Sequence, residues 1–166
     1  MRFTMLCLTV LLTAAPGTAQ QIEKNKYQQI EVMRFTVAEG VKFPPDYLVS
    51  MNEELATELR SLKKFAAVLH EGETAAADAA PRLKLEGAVT EYAPGNRAVR
   101  YLVGFGAGKT KVVAQVRFVD AATGETVLEK KVDGKVVLGG ALMSDSAGAT
   151  RGLAKEVAKL ARQRFF

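Results

Sequence analysis

Cysteine and histidine are almost missing from this sequence: 166 residues hold one of each, and tryptophan is absent. The cysteine is Cys7, inside an apolar N-terminal run. Once that run is removed no thiol remains, which excludes disulfides, thiolate nucleophiles and cysteine metal sites. His70 is the one imidazole available as a base or ligand. Metal binding would therefore fall to carboxylates, and Glu71, Glu73 and Asp78 lack the Asp/Asn alternation around glycine that a calcium loop requires. No metal and no cofactor is expected, and no catalytic residue is assigned. Excess charge is also scarce, at +5 for the whole chain. That suits weak contact with an anionic surface but not a nucleic-acid partner. Beyond the N-terminus, no apolar run is long enough to cross a bilayer.

Residues 1–19 read as a secretory signal peptide. Arg2 supplies the positive start, Phe3 to Ala15 the apolar stretch, and Gly17-Thr18-Ala19 the small residues before a cleavage site. Cleavage before Gln20 and a periplasmic location are expected, with a retained membrane anchor as the alternative. Residues 20–29 are polar and aperiodic, a flexible N-terminal arm, and 30–166 are expected to form a single α/β domain.

Within that domain the apolar period changes repeatedly. Ile30 to Val37 has near-alternating apolar positions with one slip, which fits a strand with a bulge near Met33. Leu48, Met51, Leu55, Leu59 and Leu62 step by three or four and predict a helix over Asp46 to Lys64. Pro45 suits its first turn, while Ser50 with Glu53 offers a capping box as an alternative start. Phe65 to Leu69 reads as a short strand, and 71–81 as a loop. Arg82 to Tyr92 and Lys111 to Val119 alternate as half-buried strands. Asp120 to Gly124 reads as a hairpin loop, and Thr126 to Val132 as the returning strand. Residues 147–164 predict a second long helix, with Leu153, Val157, Ala161 and Phe165 on one arc. The expected fold is an α/β sandwich, a mixed sheet of about five strands with two main helices on one face.

The stretch from Gly95 to Thr110, G-N-R-A-V-R-Y-L-V-G-F-G-A-G-K-T, imitates a phosphate loop. The G-x-x-x-x-G-K-[ST] pattern would need glycine where Val103 stands, and a helix where Lys111 to Val119 alternates as a strand. The dinucleotide pattern fails as well, because Lys109 takes the place of its third glycine. Nucleotide binding is not expected. Gly95, Gly104, Gly106 and Gly108 read instead as a structural corner permitting close backbone approach. Asn96, Arg97, Arg100 and Lys109 are the candidates for a ligand or partner contact there. Ser144-Asp145-Ser146-Ala147-Gly148 resembles a nucleophile elbow but lacks its first glycine. On the last helix Arg151, Lys155, Lys159 and Arg162 fall together as a basic face. That face is either solvated or set against anionic lipid, cell-wall polymer or an acidic partner.

With Gly95-Asn96-Arg97, Arg100 and Gly104-Phe105-Gly106-Ala107-Gly108 in view, the chain resembles the bacterial domain-of-unknown-function family 4410. The likeness runs over about residues 28–164 and includes Asp120 to Gly124 and the Gly139-Gly140 pair. More distantly, the order of elements is similar to that of small envelope lipoproteins, from which this chain departs in lacking a lipidated cysteine. The resemblance and the export signal together imply a non-enzymatic binding or assembly-accessory protein, with an envelope protein or a further copy of itself as partner. The alternative is an anionic-ligand-binding or hydrolytic protein using the glycine corner.

Overall fold

The alternation of apolar residues along the middle of the chain builds the sheet that everything else packs on. The structure, a computed structural model, describes residues 22–74, 80–94, 110–135 and 146–166. Its strands are β1 (Gln29–Val32), β2 (Thr36–Val37), β3 (Ala67–His70), β4 (Arg82–Ala93), β5 (Lys111–Asp120) and β6 (Thr126–Lys135). Its helices are α1 (Pro45–Ser61) and α2 (Ser146–Phe165). The sheet runs β3-β1-β4-β5-β6, with β2 also paired to β4. β1 is parallel to both β3 and β4, while β4, β5 and β6 form an antiparallel meander. The mixed sheet and two helices agree with the sequence, with β2 making a sixth strand.

The slip near Met33 has a structural counterpart. Val32 pairs with Leu85 and Thr36 with Ala88, so four steps on one side match three on β4. The extra residue turns Phe35 into the core, where it is 1% exposed. Its ring lies over Gly87, and a Cβ there would collide with Cε1, Cζ and Cδ1 of Phe35. Gly87 is thus the floor on which Phe35 rests.

Parallel pairing of β1 with β3 demands a crossover, and α1 supplies it. Its first turn is set by Pro45 at the first helical positions, with no side-chain cap. The capping-box alternative is not formed, because the Ser50 hydroxyl donates to the Asp46 carbonyl at 2.9 Å inside the helix. The helix stops at Ser61, as Lys63 adopts a left-handed φ of 52°. Lys63 and Lys64 therefore lie past the last turn. Met51, Leu55 and Leu59 are fully buried against the sheet, each contributing ~1.5–3 kcal/mol of apolar burial.

α2 lies beside α1 and over β5 and β6. Leu153, Ala154, Val157, Ala161 and Phe165 are fully buried, as their helical spacing predicts. Closure onto β6 depends on Gly134, since a Cβ there would meet the Ala149 carbonyl and the Leu153 backbone within 3 Å. Phe165 stacks edge-on to Tyr27 at 5.8 Å and tilts against Phe118 at 5.1 Å.

Residues 25–29, within the segment read as an arm, are tied to this core. The Asn25 amide donates to the Phe165 carbonyl at 2.6 Å, and the Gln28 amide to Pro81 at 3.0 Å. The Tyr27 hydroxyl donates to Asp120 at 2.9 Å, and the Lys26 ammonium sits 3.1 Å from the same carboxylate.

Candidate functional site

Packing decides which of the sequence candidates come together. The basic face of α2 is one that can be placed. Arg151, Lys155, Lys159 and Arg162 are all exposed on the side away from the core. Arg151 reaches Glu54 of α1 at 3.6 Å, and Lys159 lies 3.4 Å from Glu156. Lys155 and Arg162 have no acidic partner among the described residues. Burial pushes the Glu54 carboxyl up, against the Thr150 hydroxyl and the Arg151 charge, which favour ionisation. Glu58 nearby pushes in the same direction as burial.

That basic face borders a groove of about 490 Å³ between α2 and β6. Gly152, Glu156, Lys159 and Gln163 recur at helical spacing and form one wall. The β6 segment from Lys130 to Asp133 forms the other. β6 is the last strand of the described sheet, so its outer row of backbone groups faces this groove.

The opposite edge of the sheet is treated differently. On β3 the Val68 carbonyl accepts from Arg60 at 3.2 Å, and the His70 amide donates to the Glu73 carboxylate at 2.8 Å. Side chains thus occupy the positions that a further strand would use. His70 itself lies against Arg60 at 3.2 Å and Glu53 at 3.8 Å, part of this edge.

The sheet face away from the helices is a ladder of cross-strand polar pairs. Arg117 donates to Glu86 at 2.7 Å, and Gln115 to Glu129 at 3.0 Å. Near the end of the meander, Lys131 and Lys111 converge on Glu91, the latter at 2.9 Å. Hydrogen bonds from Lys131 and then Lys111, reinforced by their charge, hold the Glu91 carboxyl down at about 2. A second carboxylate is held at about 2 on the β5–β6 turn. Burial opposes ionisation of Asp120, but Lys26, the Ala122 and Thr123 amides and the Tyr27 hydroxyl together outweigh it.

The glycine corner (Gly95, Gly104, Gly106, Gly108) and its flanking Asn96, Arg97, Arg100 and Lys109 lie outside the described residues. So do Asp78, Ser144 and Asp145. The element that follows the corner is the strand β5, not the helix a phosphate loop requires. Sequence reasoning missed Lys130, Lys131 and the β6 groove. The signal was present as consecutive lysines in a strand, but nothing in the sequence says that this strand ends the sheet.

Solved structures share this fold. The dodecamer of a singly substituted PelC variant from Paraburkholderia phytofirmans matches with a TM-score of 0.56, at 18% identity over 89% of this chain and 94% of that one. The PelC dodecamer without that substitution gives 0.55 at 18% identity, over 90% and 95%. Lipoprotein GNA1162 from Neisseria meningitidis gives 0.44 at 19% identity, over 82% and 95%. At 18% identity the likeness to PelC is one of fold. No curated protein matches the sequence. Residues 38–141, more than half of the chain and including α1 and β3 to β6, match the family described as a domain of unknown function, DUF4410. The chain is a member of that family.

Proposed function

We propose that this chain is a non-enzymatic protein of the bacterial envelope that works through protein contacts, joining a partner or further copies of itself. The observation that carries the reading is the unequal finish of the two sheet edges. β3 is closed by Arg60 and Glu73, whereas β6 runs along a groove walled by a helix. An edge left in that condition is a contact surface. The signal-like residues 1–19 support an exported, periplasmic protein. The fold shared with a protein whose structure is a dodecamer supports self-assembly as one form of the contact. Scarcity of histidine and cysteine supports a role without chemistry.

The test is in-cell crosslinking of the full-length gene product, followed by native mass spectrometry of the processed protein. The expected result is a defined oligomer or a stoichiometric crosslink to one envelope protein. A monomer at high micromolar concentration that crosslinks to nothing would overturn the reading.

A further inference from the structure

We infer that the groove between β6 and α2 receives an extended, acidic segment of a partner protein, which adds to the sheet beside β6. This rests on the protein-contact reading above and gives that contact a place and a chemistry. The wall from Lys130 to Asp133 spans ~10 Å of strand at about 3.3 Å per residue, enough to register a short β-segment. The groove's volume of about 490 Å³ falls within the roughly 300–1,000 Å³ of binding clefts. A strand laid there would pair its backbone with β6 and set alternate side chains against α2.

Charge selects the occupant. Lys130, Lys131 and Lys159 line the groove together with Asp133 and Glu156, and Lys155 and Arg162 add positive charge on the adjoining ridge of α2. Lys131 is engaged by Glu91 and Lys159 by Glu156. That leaves Lys130, Lys155 and Arg162 without acidic partners among the described residues. An acidic strand would supply them. Antiparallel pairing of β6 with β6 of a second copy would keep both α2 helices on one face of the joined sheet and turn their basic ridges toward each other, like charge against like. A lipid surface is disfavoured too. Docking on anionic lipid calls for apolar anchors beside the cations, and the one large hydrophobic exposed among the described residues is Val49, on α1.

The probe is a fluorescent octapeptide alternating glutamate and valine, with a lysine–valine counterpart and a proline-interrupted glutamate version as controls. Anisotropy measures binding, and amide hydrogen exchange on the unlabelled complex locates it. The acidic peptide is expected to bind in a salt-sensitive manner and to slow exchange of the β6 amides between 129 and 133, while both controls fail. Lys130→Glu with Lys159→Glu, both at exposed positions, should weaken binding tenfold or more. Lys24→Glu with Lys42→Glu makes the same change of net charge elsewhere and should leave binding intact. Equal weakening by both pairs, or protection mapping away from β6, would overturn the inference. So would retention of the acidic peptide's affinity in the first pair. Loss of binding to phosphatidylglycerol vesicles in that pair, with no peptide binding by the native protein, would assign the face to lipid and also overturn it. If these outcomes occur while crosslinked oligomers or partners persist, the groove assignment falls and the protein-contact reading stands.

Discussion

Replacing Asp120 by asparagine isolates the contribution of one carboxylate that joins the N-terminal segment to the β5–β6 turn. It receives the Tyr27 hydroxyl and the Lys26 ammonium from the N-terminal segment, and the Ala122 and Thr123 amides from its own turn. Its carboxyl sits at about 2, against an ordinary value of 3.8. At ~1.4 kcal/mol per pKa unit, that displacement stabilises the fold by about 2 kcal/mol. Because the folded value is depressed, the contribution is present above about pH 4 and is lost as pH falls toward 2. Urea unfolding of the native protein and Asp120→Asn, compared from pH 7 down to pH 2, reads this directly. The gap in unfolding free energy should narrow by about 2 kcal/mol over that range, since all other carboxylates titrate in both proteins and cancel. At neutral pH the pH-dependent part alone corresponds to a loss of roughly 4–8 °C in Tm. A gap that stays constant with pH would show that the carboxylate's charge contributes nothing, and the reasoning would fail.

Glu54 carries the opposite sign. Its folded pKa is raised, so its contribution favours folding in acid and is lost as pH rises through the folded value. Glu54→Gln should therefore melt higher than the native protein at pH 7 and show no advantage near pH 4. A lower melting temperature at pH 7 would mean that Thr150 and Arg151 outweigh burial. At Gly87 an added methyl meets the Phe35 ring, so Gly87→Ala should cost ~1–3 kcal/mol by overpacking. Phe35→Ala should cost ~3–5 kcal/mol, and adding Gly87→Ala to it should cost little more. Strict additivity in that double-mutant cycle would contradict the packing described.

The candidate surface was legible in the sequence by half. Arg151, Lys155, Lys159 and Arg162 could be grouped because a helix repeats every 3.6 residues, whatever it packs against. The other wall, Lys130 to Asp133, could not be assigned a role. A lysine pair in an alternating strand reads the same at the centre of a sheet as at its edge. Likewise Val113 alternates along β5 with the same phase as Lys111, Gln115 and Arg117, yet it is 2% exposed. Ser50 and Glu53 had the spacing of a capping box, yet Pro45 begins the helix five residues earlier. Spacing alone cannot choose between two permitted starts.

By itself the sequence determined the local elements: the alternation of β4 and β5, the turn at Asp120, the apolar stripes of α1 and α2, and the slip near Met33, which the structure resolves as a break between β1 and β2. These follow from the periods of strand and helix, which depend only on neighbours along the chain. Tertiary structure alone decided that β1 lies between β3 and β4, and that Phe35 rests on Gly87. It also decided that Asp120 holds the N-terminal segment, and that β3 is closed while β6 is left beside a groove. Each of these depends on residues far apart in sequence meeting in space, and no pattern of nearest neighbours contains that information.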